Sequence, residues 1–201
     1  QPSFKNPHEV FKVNALGTEN VLEYARRDNI PVIYAGSSST HGDHYANPYT
    51  FTKWQGELLC EMYNKVYNLP TVITRFYNVY GDHQLLDGAY AAVIGIFLRL
   101  YGEGKPLTIT GDGEQRRDFT HVDDIVDGLV KSYENIDISS GKIFEFGRGE
   151  NYSINEIASF FKTKTEYIPK RPGEMDVTLC ESIEARELIG FNPRKDIKDY
   201  L

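Results

Sequence analysis

Ser37-Ser38-Ser39-Thr40-His41-Gly42, then six residues, then Tyr49-Thr50-Phe51-Thr52-Lys53 is the stretch around which the chain is organised. Asn47-Pro48 stands directly before the tyrosine. An N-cap residue followed by a proline suited to a first turn predicts a helix opening there. Tyr49 and Lys53 then share one helix face, about 5–6 Å apart at Cβ. A free tyrosine ionises near ~10 and is a poor base at neutral pH. A neighbouring cation favours the phenolate. Tyr-x-x-x-Lys pairs alone are common on solvated helix faces. The hydroxyl-rich strand end upstream makes this one a candidate proton-handling trio of Ser37, Tyr49 and Lys53.

Working outward, Asn6-Pro7 repeats the cap-then-proline form and predicts a helix to about Arg27. Val10, Val13, Leu16, Val21, Leu22 and Ala25 keep roughly helical spacing along it. Pro31 to Ala35 and Thr71 to Tyr77 are short apolar or β-branched runs, expected as buried strands on either side of the Tyr49 helix. Such alternation points to parallel βαβ construction. From Asn78 the rhythm changes. An apolar helix is expected from about Ala89 to Tyr101, a strand at Leu107–Thr110, a turn at Gly111–Glu114 and a helix from about Asp123 to Glu134. Lys142–Phe146 reads as a strand, Ser153 and Glu156 as a capping box, and Val177–Cys180 as a final strand before a helix at Ile183–Ile189.

The 201 residues carry 40% hydrophobic and 25% charged side chains, an ordinary globular balance. A net charge of −7 without a basic run argues against a nucleic-acid partner. Cys60 and Cys180 lack metal-ligand spacing and read as buried thiols of a reducing compartment, so no metal is expected. No apolar run reaches the ~18 residues of a membrane span.

With these residues in view, the chain resembles the extended short-chain dehydrogenase/reductases, in their NAD-dependent nucleotide-sugar epimerase/dehydratase branch. The markers are Asn14 to Thr18 (Asn-Ala-Leu-Gly-Thr), Ser37 to Gly42, Tyr49-x-x-x-Lys53, Arg75 to Gly81, Gly111 to Val122 and Arg171-Pro-Gly-Glu174, in the family's order. The resemblance implies an α/β fold: the C-terminal part of a Rossmann-type doubly wound parallel sheet plus a smaller mixed α/β substrate-binding domain. The first would occupy residues 1–77, with segments near 119–147 returning to it, and the second mainly 78–201. The family's Gly-rich dinucleotide turn is expected before Gln1, so residues 1–201 alone are expected to bind NAD weakly or not at all. The six residues between Gly42 and Tyr49 are fewer than this branch usually carries there.

By the same resemblance Tyr49 is the catalytic base and acid, Lys53 holds the nicotinamide ribose, and Ser37 shares the proton with the sugar hydroxyl. Asn14 and Tyr77 join these three around the NAD cofactor, although Asn14 is equally readable as a mid-helix residue bonding to the next strand. Arg117 and Arg171 match the diphosphate-binding arginines, Asn78 would donate to the same group, Glu174 would accept from the nucleotide ribose, and the Thr108 strand would read the base. Arg116 and Arg117 also allow a reading as a solvated pair. Thr178, seven residues after Arg171, falls where the branch borders the sugar's C2 substituent; its small side chain implies room for N-acetylated hexosamines as well as hexoses. Dehydratases and decarboxylases of the family place acidic residues after the catalytic hydroxyl, where this chain has Ser38 and Ser39. This favours a nucleotide-sugar 4-epimerase, most simply on a UDP-sugar. A dehydratase or decarboxylase, and a non-catalytic sugar-nucleotide-binding module, stay open. A cytoplasmic homodimer, paired through residues 15–27 and 49–67, is the family's expectation.

Overall fold

The computed structural model describes residues 2–170 and 175–201, an α/β chain. In chain order the strands are β1 (Val32–Ser37), β2 (Thr71–Phe76), β3 (Val79–Tyr80), β4 (Leu107–Thr110), β5 (Arg116–Asp118), β6 (Thr120–His121), β7 (Ile143–Phe146), β8 (Asn151–Ser153) and β9 (Thr165–Ile168). The α-helices are α1 (Pro2–Lys5), α2 (Pro7–Phe11), α3 (Gly17–Asp28), α4 (Pro48–Tyr67), α5 (Val93–Gly102), α6 (Val122–Glu134), α7 (Ile136–Ser139), α8 (Ile154–Phe160), α9 (Glu184–Ile189) and α10 (Ile197–Tyr200). Two compact units divide the chain: residues 1–76, 126–146 and 182–192, and residues 77–125, 147–181 and 193–201.

In the first unit β1, β2 and β7 form a parallel sheet in that order. Ala35 lies beside Thr74, and Ser37 beside Phe76, which in turn lies beside Phe146. Val72 and Ile73 are buried, as expected for a strand covered on both faces. Helix α4 connects β1 to β2 and turns Thr50, Thr52, Gly56, Glu57, Cys60 and Tyr63 inward. Leu22, Ala25, Tyr34, Cys60, Tyr63, Leu69 and Ile73 make one core cluster. Asn29 and Asn68 end α3 and α4 in the left-handed conformation, at φ 51° and 55°.

The expected first helix is interrupted. A π-helical segment, Lys12–Leu16, joins α2 to α3. A widened turn rotates the succeeding residues by about 100° per extra residue, so a simple 3.6-residue stripe does not survive it. Leu22 and Ala25 face the core, whereas Val13, Leu16 and Val21 are more than half exposed. At Asn6 the side chain makes no capping bond among the described residues, and α1 precedes it.

The second unit is built from short pairs: β4 with β9 and β3 with β6 in parallel, β5 with β8 antiparallel. Phe97, Leu107, Ile109, Phe119, Ile154 and Ile157 lie in its core cluster. Ser153 caps α8 as expected, accepting from Glu156 N at 3.0 Å while Glu156 Oε2 accepts from Ser153 N at 2.7 Å. The expected helix from Ala89 starts only at Val93. Instead of a final strand at Val177–Cys180 there is a single bridge from Val177 to Arg116. That segment is held by a carboxylate: fully buried Asp118 accepts from the backbone N–H of Arg148, Gly149 and Cys180 at 2.9, 2.9 and 3.1 Å.

Candidate active site

The first unit gathers the predicted proton-handling residues where β1 ends and α4 begins. Ser37 closes β1 and caps a 3-10 turn, Ser38–His41. Its Oγ accepts from Ser39 N at 3.3 Å and lies 2.9 Å from Ser39 Oγ. Asn47 Oδ1 accepts from Thr50 N at 2.9 Å, the expected cap of α4. Tyr49 stands in the first turn with 44% of its surface exposed, so its phenol is open to a ligand. The loop between holds itself down: His44 stacks on Trp54 at 4.5 Å, and its Nε2 lies 2.8 Å from the Thr40 carbonyl.

One turn beyond Tyr49, Lys53 points its Nζ to the Ala35 carbonyl on β1 and sits 4.3 Å over the Tyr34 ring. Burial pushes this ammonium below its ordinary value, and Glu57 opposes the push. Tyr34 is a member of the site that spacing does not reveal. Burial pushes its phenol up, so it stays neutral, and its OH donates to the Lys53 carbonyl at 3.3 Å. Gly56 makes that possible, since a Cβ there would stand 2.1 Å from the Tyr34 hydroxyl. Asn14 lies in the π segment and donates through Nδ2 to Thr52 Oγ1 on α4 at 3.0 Å. Its side chain is therefore tied to the helix that carries Tyr49 and Lys53.

The second unit holds a cavity of about 250 Å³ whose lining includes Asn78, Thr108 and Arg117, brought together from separate strands and loops. Thr110 and Gln115 add polar atoms, and Ile94, Phe97, Phe119 and Ile154 add apolar wall. Apolar walls with a few convergent polar groups are the usual make-up of a small-molecule site. The two neighbouring arginines separate: Arg116 binds Asn151 through Nε and Nη2 at 2.8 Å each and pairs with Glu156 at 2.9 Å, while Arg117 lines the cavity. Asn78 donates from Nδ2 to the Asp118 carbonyl at 3.0 Å and to Thr178 Oγ1 at 3.1 Å, which engages both amide hydrogens. Thr178 is buried behind Asn78 and is not part of the cavity lining. Tyr77 is buried at 2% exposure. Arg171 and Glu174 lie outside the described residues.

Residues 1–147 match the family described as NAD dependent epimerase/dehydratase. The chain belongs to this family. A UDP-glucuronate 4-epimerase of Thermodesulfobacterium geofontis is 31% identical, over 99% of this chain and 66% of that protein. The solved UDP-glucuronic acid 4-epimerase of Bacillus cereus, in complex with UDP-glucuronic acid and NAD, superposes at a TM-score of 0.85 with 30% identity, covering 94% of this chain and 65% of that one. A UDP-glucuronic acid decarboxylase of Arabidopsis thaliana is 26% identical over 98% of this chain and 48% of that protein. The chain thus spans at most about two thirds of each of these three relatives. This epimerase-family chain sets Ser37 at the carboxyl end of a parallel strand, the edge where α/β sheets receive cofactors, and turns Lys53 of α4 to the Ala35 carbonyl of that strand. Tyr49 and Lys53 stand one turn apart on α4, an O–H and an N–H donor of the kind that fits a nicotinamide ribose.

Proposed function

We propose that this chain carries the proton-transfer and nucleotide-sugar-binding parts of an NAD-dependent UDP-sugar 4-epimerase. One observation carries the reading: Tyr49 is exposed on the first turn of α4, Lys53 lies one turn on, and Ser37 ends the strand that Lys53 reaches. NAD, which Tyr49 and Lys53 would hold by its ribose, would supply reversible hydride transfer at the sugar's C4. Tyr49 accepts the proton of the 4-hydroxyl and gives it back. Lys53 stabilises the phenolate and, with Tyr49, holds the ribose of the cofactor; Ser37 holds the reacting hydroxyl. Asn14, bonded to Thr52 on α4, belongs to the same cofactor surroundings.

In the second unit Arg117 and Arg171 bind the diphosphate, the Thr108 strand meets the base, and Glu174 accepts from the ribose. Asn78 contacts the diphosphate when one of its bonds to Asp118 or Thr178 opens. Ser38 and Ser39 supply no second carboxylate, which favours epimerisation over decarboxylation or dehydration. UDP is favoured as the nucleotide because the similar 4-epimerases are named for it. The substrate class proposed is UDP-hexoses together with UDP-N-acetylhexosamines.

A cytoplasmic homodimer through α3 and α4 belongs to the same proposal. Val21, Tyr24, Leu58, Met62 and Val66 are exposed apolar side chains on these helices. Light scattering of the full-length protein tests it, and a monomer at micromolar concentration would refute it.

The functional test is incubation of the full-length protein and NAD with UDP-glucose, UDP-N-acetylglucosamine and UDP-glucuronate, with products resolved by proton NMR. Inversion at C4 is the expected result. Release of CO₂, loss of water, or saturable binding without any reaction would overturn the reading.

A further inference from the structure

Behind Ser37, Tyr49 and Lys53 the first unit buries a charged assembly that the proton-transfer reading does not use. Glu57 lies one turn beyond Lys53 on α4 and is 2% exposed. Arg75 of β2 grips its carboxylate, Nη2 to Oε2 at 2.7 Å and Nε to Oε1 at 3.1 Å. The Thr40 hydroxyl lies 3.3 Å from the same Oε1 and 2.8 Å from the Ser37 carbonyl. Arg75 Nη1 continues to Glu145 Oε1 on β7 at 3.5 Å, and His41 Nε2 meets that oxygen at 2.6 Å. Gly36 keeps the space open, since a Cβ there would stand 2.9 Å from Glu57 Oε1 and 3.1 Å from the Thr74 carbonyl.

One carboxylate therefore joins the helix of Tyr49 and Lys53, the turn that holds Ser37, and the neighbouring strand. A carboxylate so deeply buried needs opposite charge around it. Arg75 is shared with Glu145, and Lys53 is the cation one turn back on Glu57's own helix. Around Lys53 stand the Tyr34 ring and Ala35 carbonyl of β1, with Glu57 and Cys60 from α4.

We propose that Glu57 is a positioning residue for the Ser37, Tyr49 and Lys53 site: its locked carboxylate keeps α4 in register with the strand end and places a negative charge one helical turn from Lys53. This rests on the proton-transfer reading above, and Glu57 itself touches no substrate.

The test reads Lys53 directly, by titrating ¹³Cε-lysine-labelled full-length protein in the NMR spectrometer. Loss of one resonance in Lys53→Arg assigns the signal. Glu57→Gln, similar in shape and uncharged, is expected to lower the Lys53 midpoint by on the order of 1 pH unit. The alkaline limb of turnover should fall with it while KM for the UDP-sugar holds, and Glu57→Asp should recover part of the shift. An unchanged Lys53 midpoint in Glu57→Gln overturns the proposal, whatever happens to the melting temperature. Should Glu57→Gln not fold, Glu57→Met, which leaves Arg75 its Glu145 partner, is read for the same two outcomes. Absence of 4-epimerase activity in the unsubstituted protein would refute the functional reading without touching this titration.

Discussion

In the first unit the candidate chemistry stands on one 20-residue helix and the six-residue strand before it. In the second, the cavity wall is gathered from segments as distant as Asn78 and Ile154: loops, strands of two to four residues, and the starts of α5 and α8. Long regular elements hold side chains by helical and strand periodicity, so spacing alone brings Tyr49 and Lys53 to one face. Short segments have no such frame and need a buried anchor, which Asp118 provides. The lesson is that a reactive group is held by repetition of the backbone, while a binding cavity is held by specific hydrogen bonds between remote segments.

The largest expected effect breaks the first region's chemistry and leaves the second region alone. Tyr49→Phe deletes a proton carrier and almost no volume, so turnover should drop by ~10²–10⁴-fold. UDP-sugar affinity, measured calorimetrically, should stay within a factor of about two. Near-full activity in the Phe variant would defeat the assignment.

Next comes the anchor of the second region. In Asp118 Oδ1 accepts one backbone N–H and Oδ2 two, so Asp118→Asn turns an amide NH₂ against a donor in either orientation. A loss of about 3 kcal/mol is expected in denaturant unfolding, with the Lys53 titration unaffected. Burial also pushes the Asp118 carboxyl above its ordinary 3.8, although the backbone N–H groups oppose this. Between 3.8 and the raised value the folded protein keeps a proton that the unfolded chain has released. Its contribution to stability is therefore full below that window and is lost as pH rises through the folded value. Stability curves of Asp118→Asn should lack this slope.

A smaller effect probes packing beside the reactive helix. Gly56→Ala forces a methyl into the Tyr34 ring and is expected to destabilise by about 1–3 kcal/mol. In a Tyr34→Leu background the same change should be milder, a coupling that thermal melts can resolve. Equal losses in both backgrounds would mean that Tyr34 yields freely.

The smallest effect sharpens the sugar reading. Thr178→Val removes the hydroxyl that accepts from Asn78, a change of about 1 kcal/mol. The same substitution should change the specificity constant of UDP-N-acetylhexosamines more than that of UDP-hexoses. Equal change on both would show that this position does not border the C2 substituent.

The same contrast explains how far each region is legible from residue order. Asn47-Pro48, the Tyr49 and Lys53 spacing and the Ser153 capping box are local patterns, and each forms as the sequence implies. The stripe on the first helix misleads at Val13, Leu16 and Val21, because a π segment changes the turn on which the periodicity rests. Glu57 has a signal, four residues past Lys53, but only burial against Arg75 gives it meaning. Tyr34 has none, since its role depends on the gap left by Gly56.

Residue order alone sets the α/β alternation, the caps, and which residues stand one helical turn from Tyr49. Neighbours within a few residues set these, through backbone geometry that any chain shares. Long-range packing is what makes Arg117 line a cavity while Arg116 does not, engages the Asn78 amide with Asp118 and Thr178, and brings Glu57 to Arg75, Thr40 and the Ser37 turn. Those contacts join residues far apart in the chain. They are chosen by how buried charges and hydrogen-bond donors find partners once water is excluded, and local spacing carries no record of that choice.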